Sequence, residues 1–194
     1  MTVVVRPATD PADVDGLAEI LVDCVAGGAS VGFMLPLDRR RAAAFWQGML
    51  AEAARGERVV LVAVDQATGG ALGTVSVTLV APENQPHRGE ITKMLVRRHA
   101  RRQGTGERLM RTAEAVAVSC GKTLLVLDTA SDDAERLYER LSWQRVGRIP
   151  NFALGPEGGF VDTVVFYKQL EAGDKDSVDP RRDHPPTERR PGSR

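Results

Sequence analysis

Cysteine is scarce in this chain, with two residues among 194. Cys24 and Cys120 lie far apart, each inside an apolar-periodic segment, and no Cys-x-x-Cys pair or Cys/His cluster occurs. That pattern argues against a structural metal and points to small buried thiols in a reducing cytoplasm. A charge excess is also missing, since Lys plus Arg and Asp plus Glu number 26 each. The molecule as a whole therefore has no bias towards nucleic acid or membrane, and any anion site must come from local clustering. Aromatic residues do not alternate with the basic ones, so a nucleic-acid role is poorly supported. No apolar run reaches membrane-spanning length. The first six residues, Met-Thr-Val-Val-Val-Arg, lack the charged lead and long apolar stretch of a signal peptide. The expectation is a soluble, cytoplasmic protein. Its length suffices for one domain with a sizeable core.

What is present reads as alternating elements. Residues 3–6 form a short β-type run. Asp10 and Pro11 give a helix start, as N-cap and first helical position. Val14, Leu17, Ile20, Leu21 and Cys24 follow at helical spacing, and Gly27-Gly28 ends the helix. Residues 28–34 make a loop that is glycine-rich yet apolar. A second helix is expected from near Asp38 to about Arg55, through Ala42, Phe45, Trp46 and Leu50. Residues 58–64 and 71–80 read as strands joined by a turn, which is a hairpin. Residues 81–88 read as a loop and 89–96 as another strand. A helix over 104–121 carries Leu109, Ala113, Val116, Ala117 and Cys120 on one face. Residues 123–127 are a dense apolar run, as expected of a strand buried on both faces. A short helix over 132–141 and strands over 143–147 and 160–168 complete the pattern. This is an α/β layout with helices on both faces of a mixed sheet. Residues 1–170 form the expected domain. Residues 171–194, rich in charge, proline and serine, bury too little surface to offset their ordering entropy and are expected to be a disordered tail.

Three features meet near residue 100. A strand ends at Val96, a loop carries Arg97, Arg98, Arg101 and Arg102, and a helix opens at Gln103-Gly104-Thr105-Gly106. A helix start has unpaired N–H groups and roughly half a unit of positive charge. Glycines let an anion approach the backbone, and arginines add charge-assisted bonds. Together they describe a pyrophosphate cradle, although a glycine turn beside solvated arginines has the same spelling. No Gly-Lys-Ser/Thr follows, which excludes the phosphate loop of nucleotide hydrolases. A third glycine and an early strand are missing, which excludes the dinucleotide fingerprint.

At these residues the chain resembles the GNAT superfamily of N-acetyltransferases. Arg101-Arg102-Gln103-Gly104-Thr105-Gly106 fits the family's Gln/Arg-x-x-Gly-x-Gly/Ala motif, and residues 90–96 resemble its fourth strand. The resemblance implies a mixed, mostly antiparallel central sheet of six to seven strands flanked by about four helices. It implies acetyl-CoA as co-substrate and no metal. The backbone around Met94, Leu95 and Val96 would pair with the pantetheine arm, and N–H groups of residues 102–107, Glu107 included, would hold the pyrophosphate. A second block, residues 124–129 followed by Ala134, Leu137-Tyr138-Glu139-Arg140 and Trp143, resembles the fifth strand and fourth helix, where a tyrosine sits beside the CoA sulfur. Ser131 stands where the family often has an asparagine. A narrower resemblance is to the tabtoxin-resistance type of acetyltransferase. It rests on Gly27-Gly28-Ala29-Ser30-Val31-Gly32-Phe33-Met34 and Leu127-Asp128-Thr129, with Val146-Gly147 and Tyr167-Lys168. It implies an amino group of a small toxin as acceptor and a reactive aspartate at Asp128.

Acetyl transfer to an amine needs removal of a proton from the amine and a proton for the leaving thiolate. Tyr138 is the candidate acid; the alternative is a tyrosine packed on the sheet with its hydroxyl satisfied. Asp128, at the C-terminal edge of its strand, is a candidate proton acceptor or ammonium partner, or else a cap for the next helix. Glu90 is a candidate base acting through water, or else a solvated strand-end carboxylate. Ser30, Val31, Phe33 and Met34 are candidates to wall the acceptor pocket, or else pack in the core. Trp46 and Trp143 read as core, and His87, His99 and His184 as surface. Three functions stay open: a small-molecule N-acetyltransferase, with toxin or antibiotic resistance as one outcome; a CoA-binding regulatory module without turnover; and a protein N-acetyltransferase. The partner is expected to be a small amine, with neither nucleic acid nor membrane, and the chain a monomer or a homodimer paired through an edge strand near its C-terminal end.

Overall fold

Alternating β-branched and apolar residues build seven strands in the computed structural model, which describes residues 2–80 and 82–171. The strands are β1 (Val3–Pro7), β2 (Arg58–Asp65), β3 (Ala71–Thr78), β4 (Arg88–Val96), β5 (Leu124–Thr129), β6 (Gln144–Leu154) and β7 (Phe160–Gln169). Four helices join them: α1 (Asp13–Ala26), α2 (Arg39–Ala54), α3 (Thr105–Ser119) and α4 (Asp132–Arg140). The strands make one sheet in the order β1-β2-β3-β4-β5-β7-β6. Every neighbouring pair is antiparallel except β4–β5. That parallel pair requires a crossover, and α3 supplies it. The mixed α/β sheet expected from the sequence is the one observed.

Two apolar layers hold the sheet. On one face, α1 and α2 bury Leu17, Ile20, Leu21 and Trp46 against Val60, Val62 and Leu95. On the other, α3 and α4 bury Leu109, Met110, Ala113 and Tyr138 against Val75, Val77, Leu125, Leu127 and Phe166. Each large side chain buried this way contributes about 1.5–3 kcal/mol. Trp46 and Trp143 are both core residues, as the sequence indicated. Glu114 on α3 fastens the second layer, accepting from Trp143 Nε1 at 2.8 Å and from Lys168 Nζ at 2.7 Å. The buried Lys122 donates to the carbonyls of Leu79 and Pro86 at 2.8 and 2.7 Å, which ties the approach to β4 onto the end of α3.

Several local expectations need correction. Helix α1 begins at Asp13, so Asp10 is not its N-cap. The Asp10 carboxylate instead bonds the N–H of Ala12 at 2.8 Å, closing a turn, while Asp13 pairs with Arg6 of β1 at 2.7 Å. Cys24 is buried, but Cys120 ends α3 in an exposed position. Strand β5 is not buried on both faces. Leu125 and Leu127 face α3 and α4, whereas Leu124 and Val126 are only partly covered and Asp128 is exposed. The cause is that the α1–α2 layer packs on β2 and the end of β4 and stops short of β5. Strand β6 runs to Leu154 rather than residue 147, as a long, exposed edge strand. His87 and His99 are exposed. The expected tail from residue 172 onward, with His184, lies outside the described residues.

Candidate functional site

The site begins where two strands part. Strands β4 and β5 pair only through Arg88–Glu90 against Leu124–Val126, so beyond Glu90 the β5-facing backbone edge of β4 has no strand partner. A bulge in β4 contributes to the divergence. The β3–β4 register shifts between Thr74 and Ser76, opposite Lys93, whose φ of 52° lies in the left-handed region. In a regular strand Ile91 and Leu95 would share a face. Here Ile91 packs with the α3–α4 layer and Leu95 with the α1–α2 layer. The extra residue therefore turns Lys93 away from the face that Ile91 occupies and towards Phe45 of α2. The gap opens into a cleft of about 1090 Å³, which is large for a small-molecule pocket and has room for a nucleotide-bearing ligand.

At one end of this cleft lies the cradle. Arg102 and Gly104 both take left-handed φ values, 59° and 79°. Gly104 is the N-cap of α3, and a side chain there would find space but not a comfortable backbone conformation. Among the described residues, none of the backbone N–H groups of residues 102–107 donates to an acceptor of the protein. Six donors thus stand free at a helix start. Arg101, Arg102 and Arg136 line the same wall. Arg101 Nε donates to the Val96 carbonyl at 3.1 Å, and Cys24 Sγ contacts the same oxygen at 3.4 Å, which fixes the end of β4 beside the cradle. The open strand edge, the free N–H groups and the arginines together fit the pantetheine, pyrophosphate and phosphate charge of a coenzyme A thioester.

At the other end lie the titratable groups. Tyr138 on α4 is buried, with its ring 5.7 Å from Phe166 and 5.9 Å from Trp143. Its hydroxyl has no hydrogen-bond partner among the described residues. Burial, reinforced by the Asp128 carboxylate, holds its proton well above the ordinary tyrosine range. Asp128 is not a helix cap: that role belongs to Ser131, which accepts from Ala134 N. Instead Asp128 accepts from the buried Thr163 hydroxyl of β7 at 2.7 Å, which orients its carboxylate. Loop 28–34 lies across this end. Ser30 Oγ donates to the Leu154 carbonyl at 3.1 Å, and Leu35 N to the Pro156 carbonyl at 2.9 Å, so the loop is laced to the β6–β7 hairpin.

The cleft gathers most of the residues singled out from the sequence: Ser30, Val31, Met94, Leu95, Val96, Arg101, Arg102, Gly104, Gly106, Glu107, Asp128, Ser131 and Tyr138. Others lie elsewhere. Gln103 folds back to donate to the His99 carbonyl at 2.8 Å. Thr105 is buried, its hydroxyl without a partner among the described residues. Phe33 packs edge-on against Phe45 with centroids 5.1 Å apart, and Met34 is exposed; neither lines the cleft. Glu90 lines a smaller neighbouring cavity of about 210 Å³, which shares Asp128, Phe152 and Thr163 with the cleft but not Tyr138. Sequence reasoning missed Lys93, Phe152 and Thr163. Only Lys93 had a visible signal, as a single cation inside an otherwise apolar strand end. The others arrive from β6 and β7 through sheet pairing.

The profile of the acetyltransferase (GNAT) family matches residues 30–143. The chain belongs to that family, and it is an acetyl-CoA-dependent N-acetyltransferase. Among solved structures it is similar to a GNAT superfamily phosphinothricin acetyltransferase from Sinorhizobium meliloti in complex with acetyl-CoA. That match has 18% identity and a TM-score of 0.74, over 92% of this chain and 95% of that one. It is also similar to a ribosomal-protein-alanine N-acetyltransferase from Brucella melitensis, at 23% identity and a TM-score of 0.72, over 86% and 99% of the two chains. An N-acetyltransferase from Staphylococcus aureus Mu50 superposes with a TM-score of 0.73 at 18% identity, over 88% and 100%. At these identities the likeness concerns the fold. Among the described residues no group of His, Cys, Asp and Glu is arranged to hold a metal ion, and no helix is long and apolar enough to cross a membrane.

Proposed function

We propose that this chain transfers the acetyl group of acetyl-CoA to a primary amine of a small molecule, in the manner of the tabtoxin-resistance type, with modification of a toxin or antibiotic as one physiological outcome. The observation that carries the small-molecule reading is the lacing of loop 28–34 to the β6–β7 hairpin by Ser30–Leu154 and Leu35–Pro156 bonds. A loop held across the acceptor end favours a small amine over a protein substrate, which would need an open groove.

The co-substrate supplies a thioester, whose C–S bond breaks as the amine forms a C–N bond to the acetyl carbon. The free N–H groups of residues 102–107, with Arg101 and Arg102, bind its pyrophosphate. The open edge of Met94, Leu95 and Val96 aligns the pantetheine arm. Asp128, oriented by Thr163, holds the acceptor's amino group and takes its proton. Tyr138 donates its hydroxyl proton to the departing sulfur. General acid and base groups of this kind are each worth about 10²–10⁴-fold in rate. Ser131 contributes by capping α4 and so holding Tyr138 in place. Glu90, in the adjoining cavity, is the second candidate base, through water. Residues 1–170 are the catalytic domain in this reading.

The test is thiol release from acetyl-CoA with a panel of primary amines and of N-terminal and lysine peptides. Turnover with small amines and none with peptides supports the reading. Tight CoA binding without turnover by any amine would make the chain a regulatory module.

A further inference from the structure

Lys93 is the one ammonium lining the cleft among the described residues, and it forms no ion pair with any of their carboxylates. Among the described residues no carboxylate lies within ion-pair distance of its Nζ, and it makes no side-chain hydrogen bond. Nζ sits 5.7 Å from the centre of the Phe45 ring, whose face attracts a cation but cannot balance its charge. Other charges act on it only from beyond ion-pair distance: Arg58 is paired with Glu52, and Asp128 accepts from the Thr163 hydroxyl. The backbone at Lys93 is held in a left-handed conformation, at φ 52°, which a residue with a side chain adopts at a cost. Burial and the neighbouring Arg58 both work against its charge, while Asp128 and Glu90 favour it. A partly buried, unpaired lysine on a strained bulge is costly to keep unless a ligand completes it.

We propose that Lys93 reads an anionic group on the acceptor: the amine substrate also carries a carboxylate, which Lys93 binds while Asp128 receives the amino group. This rests on the small-molecule reading above and narrows it. Amino-acid-type acceptors are selected, and polycationic ones such as polyamines are rejected by the Lys93 charge. A cation and an anion facing one small acceptor fix its orientation as well as its affinity.

The test compares kcat/KM for amino acids, their methyl esters and polyamines, using thiol release from acetyl-CoA. The wild-type chain should prefer the free carboxylate over the ester by roughly 10- to 100-fold, the span expected for a charge-assisted contact, with the difference mainly in KM. Lys93→Met keeps the apolar stem against Phe45 and should collapse that ratio towards one. Lys93→Arg should restore most of it. Equal use of acid and ester by the wild-type chain would overturn the proposal, whatever the variants do, and so would a ratio unchanged in Lys93→Met. If amines are acetylated but polyamines are preferred, this inference falls and the small-molecule reading stands. If no amine is acetylated, both fall.

Discussion

The two ends of the cleft are built in opposite ways. The cradle end presents backbone: six free N–H groups, a left-handed glycine and the unpaired edge of β4, all within residues 91–107. The acceptor end presents side chains from four distant segments: Lys93 from β4, Asp128 from β5, Tyr138 from α4 and Thr163 from β7, under a loop from residues 28–34. A backbone site tolerates variation in most side chains and binds a group common to every reaction of its class. A side-chain site can be rebuilt one residue at a time, and so can differ in which amine it admits.

That contrast can be broken experimentally, and the largest effect should fall at the acceptor end. Tyr138→Phe should lower kcat by about 10²-fold or more while leaving acetyl-CoA affinity in place; an unchanged kcat removes Tyr138 from the chemistry. The direction of its proton affinity adds a pH prediction. Because burial raises it above the ordinary value of 10, kcat should show no falling limb from loss of this proton below about pH 10. Folding stability should likewise be unaffected by this group below that pH and decline as pH rises through the ordinary tyrosine range, since the folded state keeps the proton that the unfolded chain releases. A falling limb near neutrality that disappears in Tyr138→Phe would contradict this.

Asp128→Asn should reduce kcat/KM for the amine by about 10- to 100-fold, again with acetyl-CoA affinity retained. If it does not, Glu90→Gln becomes the informative variant, because the two carboxylates share the smaller cavity. At the cradle end, Gly104→Val should act on the other ligand. The left-handed φ of 79° costs a residue with a side chain about 1–2 kcal/mol. The expected result is about a tenfold rise in the dissociation constant of acetyl-CoA, measured by calorimetry, with amine KM little changed. Equal losses at both ends would show that the two sites are not separable. The smallest effect should come from Ser131→Ala, which removes the cap of α4 and should lower unfolding stability by about 1 kcal/mol in a denaturant titration.

The difference between the ends also explains what could be read in advance. Helix α2 was legible because its apolar spacing is local, and so was the placing of the arginine–glycine segment at a helix start, which is contiguous; that Asp38 caps α2 came from the fold. The start of α1 was misread because Asp10 has two local partners to choose from, and Arg6 draws Asp13 into a pair that only the folded strand makes available. Cys120 was misplaced because helical periodicity says which face a residue shares but not where the covering layer stops. The Gln103 side chain turns back to the His99 carbonyl, which leaves its backbone N–H as the group that faces the cradle.

By itself, the sequence determined the alternation of strands and helices, the break at Gly104 and the arginine–glycine segment at a helix start, because each depends on interactions within a few residues. Tertiary structure alone decided that β5 parts from β4 beyond Glu90, that a bulge at Lys93 swaps the faces of β4 and that Thr163 of β7 orients Asp128. Those outcomes depend on register across the sheet, which is set by the summed packing of both layers and by no single stretch of chain.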